Sequence, residues 1–213
     1  MPAVPPGAGL LPVLPALRDL LPGGGLARGT VVTVPEFGLL CLALAAGASA
    51  AGAWCAIAGI PEVGLAAATG LGLDPGRTLL VPGPGGSWPQ VVASLLDGCE
   101  LVMVRPPSGA PAHVTRRLGA RLRRGHGVLL VAGDWPGAQV CLRVAGRDWT
   151  GLGRGHGRLR ACRALVTAEG RGQAAGPRAR WLWLPAEDGS VAVADPGLAP
   201  PAGIPALPAA ATG

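Results

Sequence analysis

The chain reads as an α/β domain whose sheet is mostly parallel and covered by helices, with an antiparallel extension on its C-terminal side. Three observations predict this. Short aliphatic runs alternate with helix-length segments as far as Val131. Those runs are continuously apolar rather than alternating, as strands buried on both faces require. After Asp134 the helical pattern stops, and strand-like runs follow one another.

Residues 1–12 are rich in Pro and Gly and read as a flexible N-terminus. Leu14, Leu17, Leu20 and Leu21 predict a short amphipathic helix before Pro22, and Gly23-Gly24-Gly25 breaks the chain. Thr30–Val34 is a β-branched strand, Leu39–Ala51 a helix and Trp54–Ala58 a buried strand. Pro61 suits the first position of a helix running to about Thr69, and Asp74-Pro75-Gly76 is a turn. The pattern then repeats: strand Thr78–Val81, helix Trp88–Leu96, strand Leu101–Val104, helix Pro111–Arg124 and strand Val128–Val131. Val140–Val144, Leu159–Thr167 and Arg180–Leu184 form the expected antiparallel extension, with a Gly-rich turn around Gly170–Gly176. The folded domain is expected over residues 13–184, and residues 185–213 read as a disordered Pro/Ala-rich tail.

Composition narrows the chemistry. The 213 residues suit one domain. There is no Lys, Asn or Tyr, and all 18 basic residues are Arg, which excludes any mechanism that needs a lysine. The net charge of +6 is unevenly spread. Residues 113–184 hold fourteen Arg against three acids, whereas residues 1–112 and 185–213 are mildly acidic. An anionic partner for the basic half and a plain solvated surface both account for this. The five cysteines, at 41, 55, 99, 141 and 162, form no CxxC motif and read as reduced, mostly buried thiols of a cytoplasmic protein. His113, His126 and His156 are too scattered to suggest a metal, and no Ser-His-Asp or paired-carboxylate arrangement stands out. The 25 uncharged residues between Glu36 and Glu62 could span a bilayer by length. Their Ala and Gly content favours a buried helix followed by a buried strand, so no membrane partner is expected.

The order of elements resembles the RecA fold, and several segments resemble RecA itself. Gly24-Gly25-Leu26-Ala27-Arg28-Gly29-Thr30-Val31-Val32 looks like the lead into its first core strand. Trp54–Ala58 with Gly70-Leu71-Gly72-Leu73-Asp74 resembles the next strand and the turn after its helix. Glu100–Val104 looks like the strand that normally ends in a magnesium-associated aspartate. The resemblance covers roughly residues 10–170.

The catalytic elements of that family are missing. A phosphate-binding loop needs Gly-x-x-x-x-Gly-Lys-(Ser/Thr): glycines admit the phosphates, lysine neutralises them and the hydroxyl holds magnesium. The aligned segment is Val34-Pro35-Glu36-Phe37-Gly38-Leu39-Leu40-Cys41. Pro35 and Glu36 survive from the RecA pattern, but Leu39, Leu40 and Cys41 stand where Gly, Lys and Thr belong. Arg105 replaces the aspartate, which would bring positive charge to the magnesium position. The expectation is a chain that is not an enzyme and uses no cofactor.

Among RecA relatives without ATPase motifs, the chain resembles the actinobacterial mutasome accessory proteins of ImuA and ImuA-prime type. The match lies in the degenerate loop, Val104-Arg105-Pro106-Pro107, Gly133-Asp134-Trp135-Pro136, the Trp149–Arg160 segment and Trp181-Leu182-Trp183-Leu184-Pro185. The resemblance implies a non-catalytic adaptor in DNA-damage-induced, translesion mutagenesis. Its partners would be a Y-family polymerase homologue of ImuB type, an error-prone C-family polymerase and single-stranded DNA, in a nucleoid-associated cytoplasmic setting. The alternative is a SulA-like inhibitor of the tubulin-like division GTPase.

Three groups of residues could meet DNA or a protein. Arg117, Arg121 and Arg124 lie opposite the apolar stripe Val114, Leu118 and Leu122, as a basic helix face that either binds phosphates or is simply solvated. Trp149, Arg154, Arg158 and Arg160 belong to a Gly-rich hairpin suited to phosphate contact or to partner docking. Trp181 and Trp183 share one strand face, either exposed as an interface or covered by a loop or helix.

Overall fold

The computed structural model describes residues 9–107, 109–152, 156–171 and 176–195. In chain order the strands are β1 (Leu10–Pro12), β2 (Gly25–Ala27), β3 (Val31–Val34), β4 (Cys55–Ala58), β5 (Thr78–Val81), β6 (Leu101–Val104), β7 (Val128–Ala132), β8 (Val140–Trp149), β9 (Cys162–Gly170), β10 (Arg178–Trp183) and β11 (Ala192–Val193). The α-helices are α1 (Leu39–Ala50), α2 (Leu65–Gly70), α3 (Trp88–Gly98) and α4 (Ala112–Arg124).

One nine-stranded sheet organises the molecule, in the order β11-β10-β9-β8-β3-β7-β6-β4-β5. The strands from β8 to β5 in that order are parallel to their neighbours. The pairs β8–β9, β9–β10 and β10–β11 are antiparallel, so the expected extension is present. Strands β3, β4, β6 and β7 are buried along their whole length, which is why each reads as an unbroken apolar run.

The two faces carry separate cores. On one face α1 packs with the segment around Leu17 and Leu20 against Ile57, Met103 and Leu130. On the other, α3 and α4 cover Val31, Val102, Leu129 and Val131. Leu44, Leu118 and Leu130 are essentially sealed from water, and each such side chain contributes about 1.5–3 kcal/mol. A Cβ at Gly47 would overlap the Val13 backbone, so only glycine lets α1 approach that segment. The 37–61 stretch is the helix α1 followed by β4, as expected, and among the described residues no helix is long and apolar enough to cross a membrane.

At the N-terminal end of the parallel strands, Arg28 ties three elements together. Its guanidinium donates to Glu100 Oε1 (2.9 Å) and to the His126 carbonyl (2.7 Å), while Glu100 Oε2 accepts from the Trp54 backbone N–H (3.2 Å).

Several boundaries differ from the sequence reading. Residues 10–12 are not a loose N-terminus: they pair with β2, and Leu11 is buried. The leucine repeat after Val13 forms a 3-10 helix, Pro15–Leu20, whose three-residue turn suits Leu14, Leu17 and Leu20 better than an α-turn does. Helix α2 starts at Leu65, because Pro61–Gly64 is spent on a turn that carries Glu62 towards β6. The folded region also runs past residue 184: β11 pairs with β10, and Ala194 is buried. The expected Gly-rich turn lies partly in residues 172–175, outside the described residues.

Candidate functional site

Residues 34–41, the segment set against a phosphate-binding loop, lie at the C-terminal end of the parallel strands, where open α/β sheets bind ligands. Strand β3 ends at Val34, residues 35–38 turn, and α1 begins at Leu39. Leu40 touches the edge of a neighbouring cleft, and Cys41 is sealed from it. They are 3% and 0% exposed and belong to the core under α1. The Cys41 thiol approaches the Glu36 carbonyl at 3.6 Å, and burial pushes its pKa up to about 11. A lysine and a hydroxyl at these positions would therefore be packed among aliphatic side chains.

The second half of the position is closed differently from the expectation. Arg105 follows β6, and its backbone N–H donates to the Ala58 carbonyl at the end of β4 (3.1 Å). Its guanidinium grips the Glu62 carboxylate with both nitrogens, Nη2 lying 2.8 Å from Oε2. That hydrogen-bonded pairing holds the Glu62 carboxyl below its ordinary range. The expected positive charge at the magnesium position is thus neutralised by an acid 43 residues earlier. The two backbones meet closely here: Gly59 has φ +72, and a Cβ on it would lie 2.6 Å from the Arg105 carbonyl oxygen. Leu40, Cys41 and the Arg105–Glu62 pair do not fit a magnesium–nucleotide group, and no chemical step is derived through one.

Beside residues 34–40 lies a cleft of about 460 Å³, lined by Pro35, Glu36, Phe37, Arg143, Arg147 and Trp149 among others. Strand β8 supplies its far wall because it runs five residues beyond its expected end, with a bulge between Val144 and Gly146. The cleft mixes apolar lining with two arginines and one carboxylate.

The remaining predicted residues are dispersed. Arg117, Arg121 and Arg124 are exposed on α4 as read, but Arg121 is bound to Asp97 on α3, with Nε 2.9 Å from Oδ1. Trp149 is 44% exposed, on the wall of the cleft. Arg158 and Arg160 instead border a separate depression with Glu187, and Arg154 lies outside the described residues. The strand expected from Leu159 begins only at Cys162, because the backbone N–H groups of Arg158 and Arg160 donate to the carbonyls of Gly151 and Thr150 and so close the loop base.

The tryptophan pair is not an open interface. Trp181 is 5% exposed, with the Arg163 guanidinium stacked 4.3 Å from its ring centre. Arg163 is itself buried and donates to the Asp195 carbonyl (2.8 Å). Trp183 is half-buried in the same small cluster with Leu165 and Ala194, while Leu182 and Leu184 face the main core. Among the described residues no group of three or more His, Cys, Asp or Glu is placed to hold a metal.

Sequence reasoning missed Glu62, Asp97, Arg143 and Arg147. The last two had a signal, since they stand four apart in a strand whose other residues are mostly apolar. Glu62 and Asp97 had none, because their partners come from distant elements.

A nine-stranded sheet with six parallel strands and covering helices, ending in antiparallel strands, defines a protein of RecA-like fold. The flagellar accessory protein FlaH from Methanocaldococcus jannaschii shares that architecture at a TM-score of 0.59 and 12% identity, over 88% of this chain and 99% of the other. Residues 19–137 match the model of the MT3502 N-terminal domain, and the chain belongs to that family. It is also 36% identical over 167 residues to the uncharacterized protein Rv3395c of Mycobacterium tuberculosis, covering 72% of this chain and 80% of the relative.

Proposed function

We propose that the chain is a non-catalytic RecA-like adaptor in DNA-damage-induced translesion mutagenesis, of ImuA or ImuA-prime type. One observation carries the non-catalytic reading: the lysine and hydroxyl positions are filled by core residues Leu40 and Cys41, and Arg105 at the acid position is tied to Glu62. The mycobacterial relative is consistent with the actinobacterial setting of such adaptors. Its partners in this reading are a Y-family polymerase homologue of ImuB type and an error-prone C-family polymerase, with single-stranded DNA as a further contact, in the nucleoid-associated cytoplasm. The cleft beside residues 34–40 offers a partner both apolar lining and arginine hydrogen-bond donors.

The test has two arms. Labelled ATP is titrated against the chain; saturable micromolar binding with turnover would end the non-catalytic reading. Pull-downs then compare the Y-family homologue with the tubulin-like division GTPase. Capture of the first supports the adaptor, and capture of the second alone supports a division inhibitor.

A further inference from the structure

From the surface of α4 we propose a site for the phosphodiester backbone of a nucleic acid duplex. Residues 111–127 contain five Arg and two His and no acid. Arg116, Arg117, Arg123 and Arg124 are all exposed, and none forms an ion pair among the described residues. Arg121 is already engaged by Asp97, so the site is these four and not the triad that sequence spacing singles out.

Helical geometry arranges the four in two lanes. With about 100° per residue, Arg116 and Arg123 lie nearly in line, and Arg117 and Arg124 lie nearly in line about a quarter-turn away. Ala120 sits between the lanes, a small side chain on an otherwise arginine-rich surface. Arg123 lies back over Gly119, where a Cβ would be 3.5 Å from its Nη1, so its guanidinium is drawn towards the level of Arg116. Each lane borders a groove. Arg116 and Arg123 line one with Gly137 and Gln139, floored by Trp135. Arg117 and His113 line the other with Gln90, floored by Trp88. The two tryptophans meet edge-to-face beneath the helix, at 6.4 Å between ring centres, and make a rigid floor.

Helix stability does not explain the pattern. Cations in the last turn complement the helix dipole, which accounts for Arg121, Arg123 and Arg124. Arg116 and Arg117 lie in the first half of α4, where that argument gives nothing. Four exposed arginines with no ion pair among the described residues make a surface complementary to a polyanion. From Arg116 to Arg124 the helix advances about 12 Å. That distance spans three to four phosphates at about 3.4 Å per phosphate along one duplex strand. Trp88 and Trp135 are 5% and 7% exposed, so this face offers no ring for base stacking, which a single-strand platform uses. Contact through the backbone of a duplex follows, without sequence preference.

The inference stands apart from the adaptor reading: polymerase pull-down and duplex binding can each fail while the other succeeds. The full chain is titrated into a short labelled duplex and into the matching single strand, followed by fluorescence anisotropy over a salt series. The duplex is expected to bind more tightly at low salt, with a log–log salt slope of about −3. The R116Q/R117Q/R123Q/R124Q variant is expected to weaken binding more than about tenfold and to flatten that slope. Ala120→Glu removes no arginine and places a carboxylate between the lanes, so it should weaken binding without lowering the melting temperature. The proposal is overturned by no duplex binding at low salt, by tighter binding of the single strand, by binding indifferent to Ala120→Glu, or by preference for anionic phospholipid vesicles over DNA.

Discussion

Arg105, at the end of β6, and Glu62, in the turn after β4, close over the C-terminal edge of the sheet as a two-pronged ion pair. The two charges satisfy each other across the ends of β4 and β6.

The pair has a pH signature. Because Glu62 has a depressed pKa in the folded chain, its contribution to stability is present above the ordinary carboxylate value of about 4.3 and fades as pH falls through the depressed value. Arg105→Gln should return the Glu62 carboxyl to the ordinary range, as read by carboxyl-carbon NMR titration. The stability of the native chain and of the variant should differ at neutral pH and converge in acid. An unshifted Glu62 in the native chain would show that the pair does not form.

Installing the lysine and hydroxyl of a phosphate-binding loop at positions 40 and 41 should harm the protein. Leu40→Lys with Cys41→Thr buries an ammonium and a hydroxyl in the aliphatic core under α1, at a cost of more than about 3 kcal/mol. Thermal unfolding should show the loss, and labelled ATP should still not bind. Gain of nucleotide binding would mean that the loop can swing away from the core.

Trp181 should behave as a core residue. Trp181→Ala removes the ring under Arg163 and should cost about 3–5 kcal/mol. Limited proteolysis of that variant should cut first near β11. A change within about half a kcal/mol, typical of surface substitutions, would mean that the ring is not packed in solution.

The thiols should separate into two classes. Burial raises the Cys41 and Cys55 pKa values to about 11 and about 12, and it also raises those of Cys99 and Cys162. With little thiolate at pH 8, these four should react with a disulfide reagent only on unfolding. Cys141, which is half-buried, should react first, as mass mapping of the labelled native chain would reveal.

The parallel strands were legible because burial on both faces leaves continuous apolar runs, as in Val31–Val34 and Val128–Ala132. The departure of Val34–Cys41 from a phosphate-binding loop is plain in the sequence, because that motif is rigidly spaced. The pairings Arg105–Glu62 and Arg121–Asp97 were not, since each joins elements brought together only by sheet order and helix packing. Strand β1 was hidden by proline and glycine, which signal turns locally but do not forbid a three-residue edge pairing. The burial of Trp181 was also hidden, because its cover comes from the return of residues 192–195 across the sheet.

That return has a mechanical meaning. Strand β11 is held to β10 by a two-residue ladder, while β8 and β9 share nine paired positions. A pull on the chain beyond Asp195 meets the Arg163 contact to the Asp195 carbonyl and then the short ladder. It would peel away as a unit and uncover Arg163 and the Trp181 ring, while the rest of the sheet kept its shape. The C-terminal edge is thus built like a fuse, giving way locally under load before the domain itself yields.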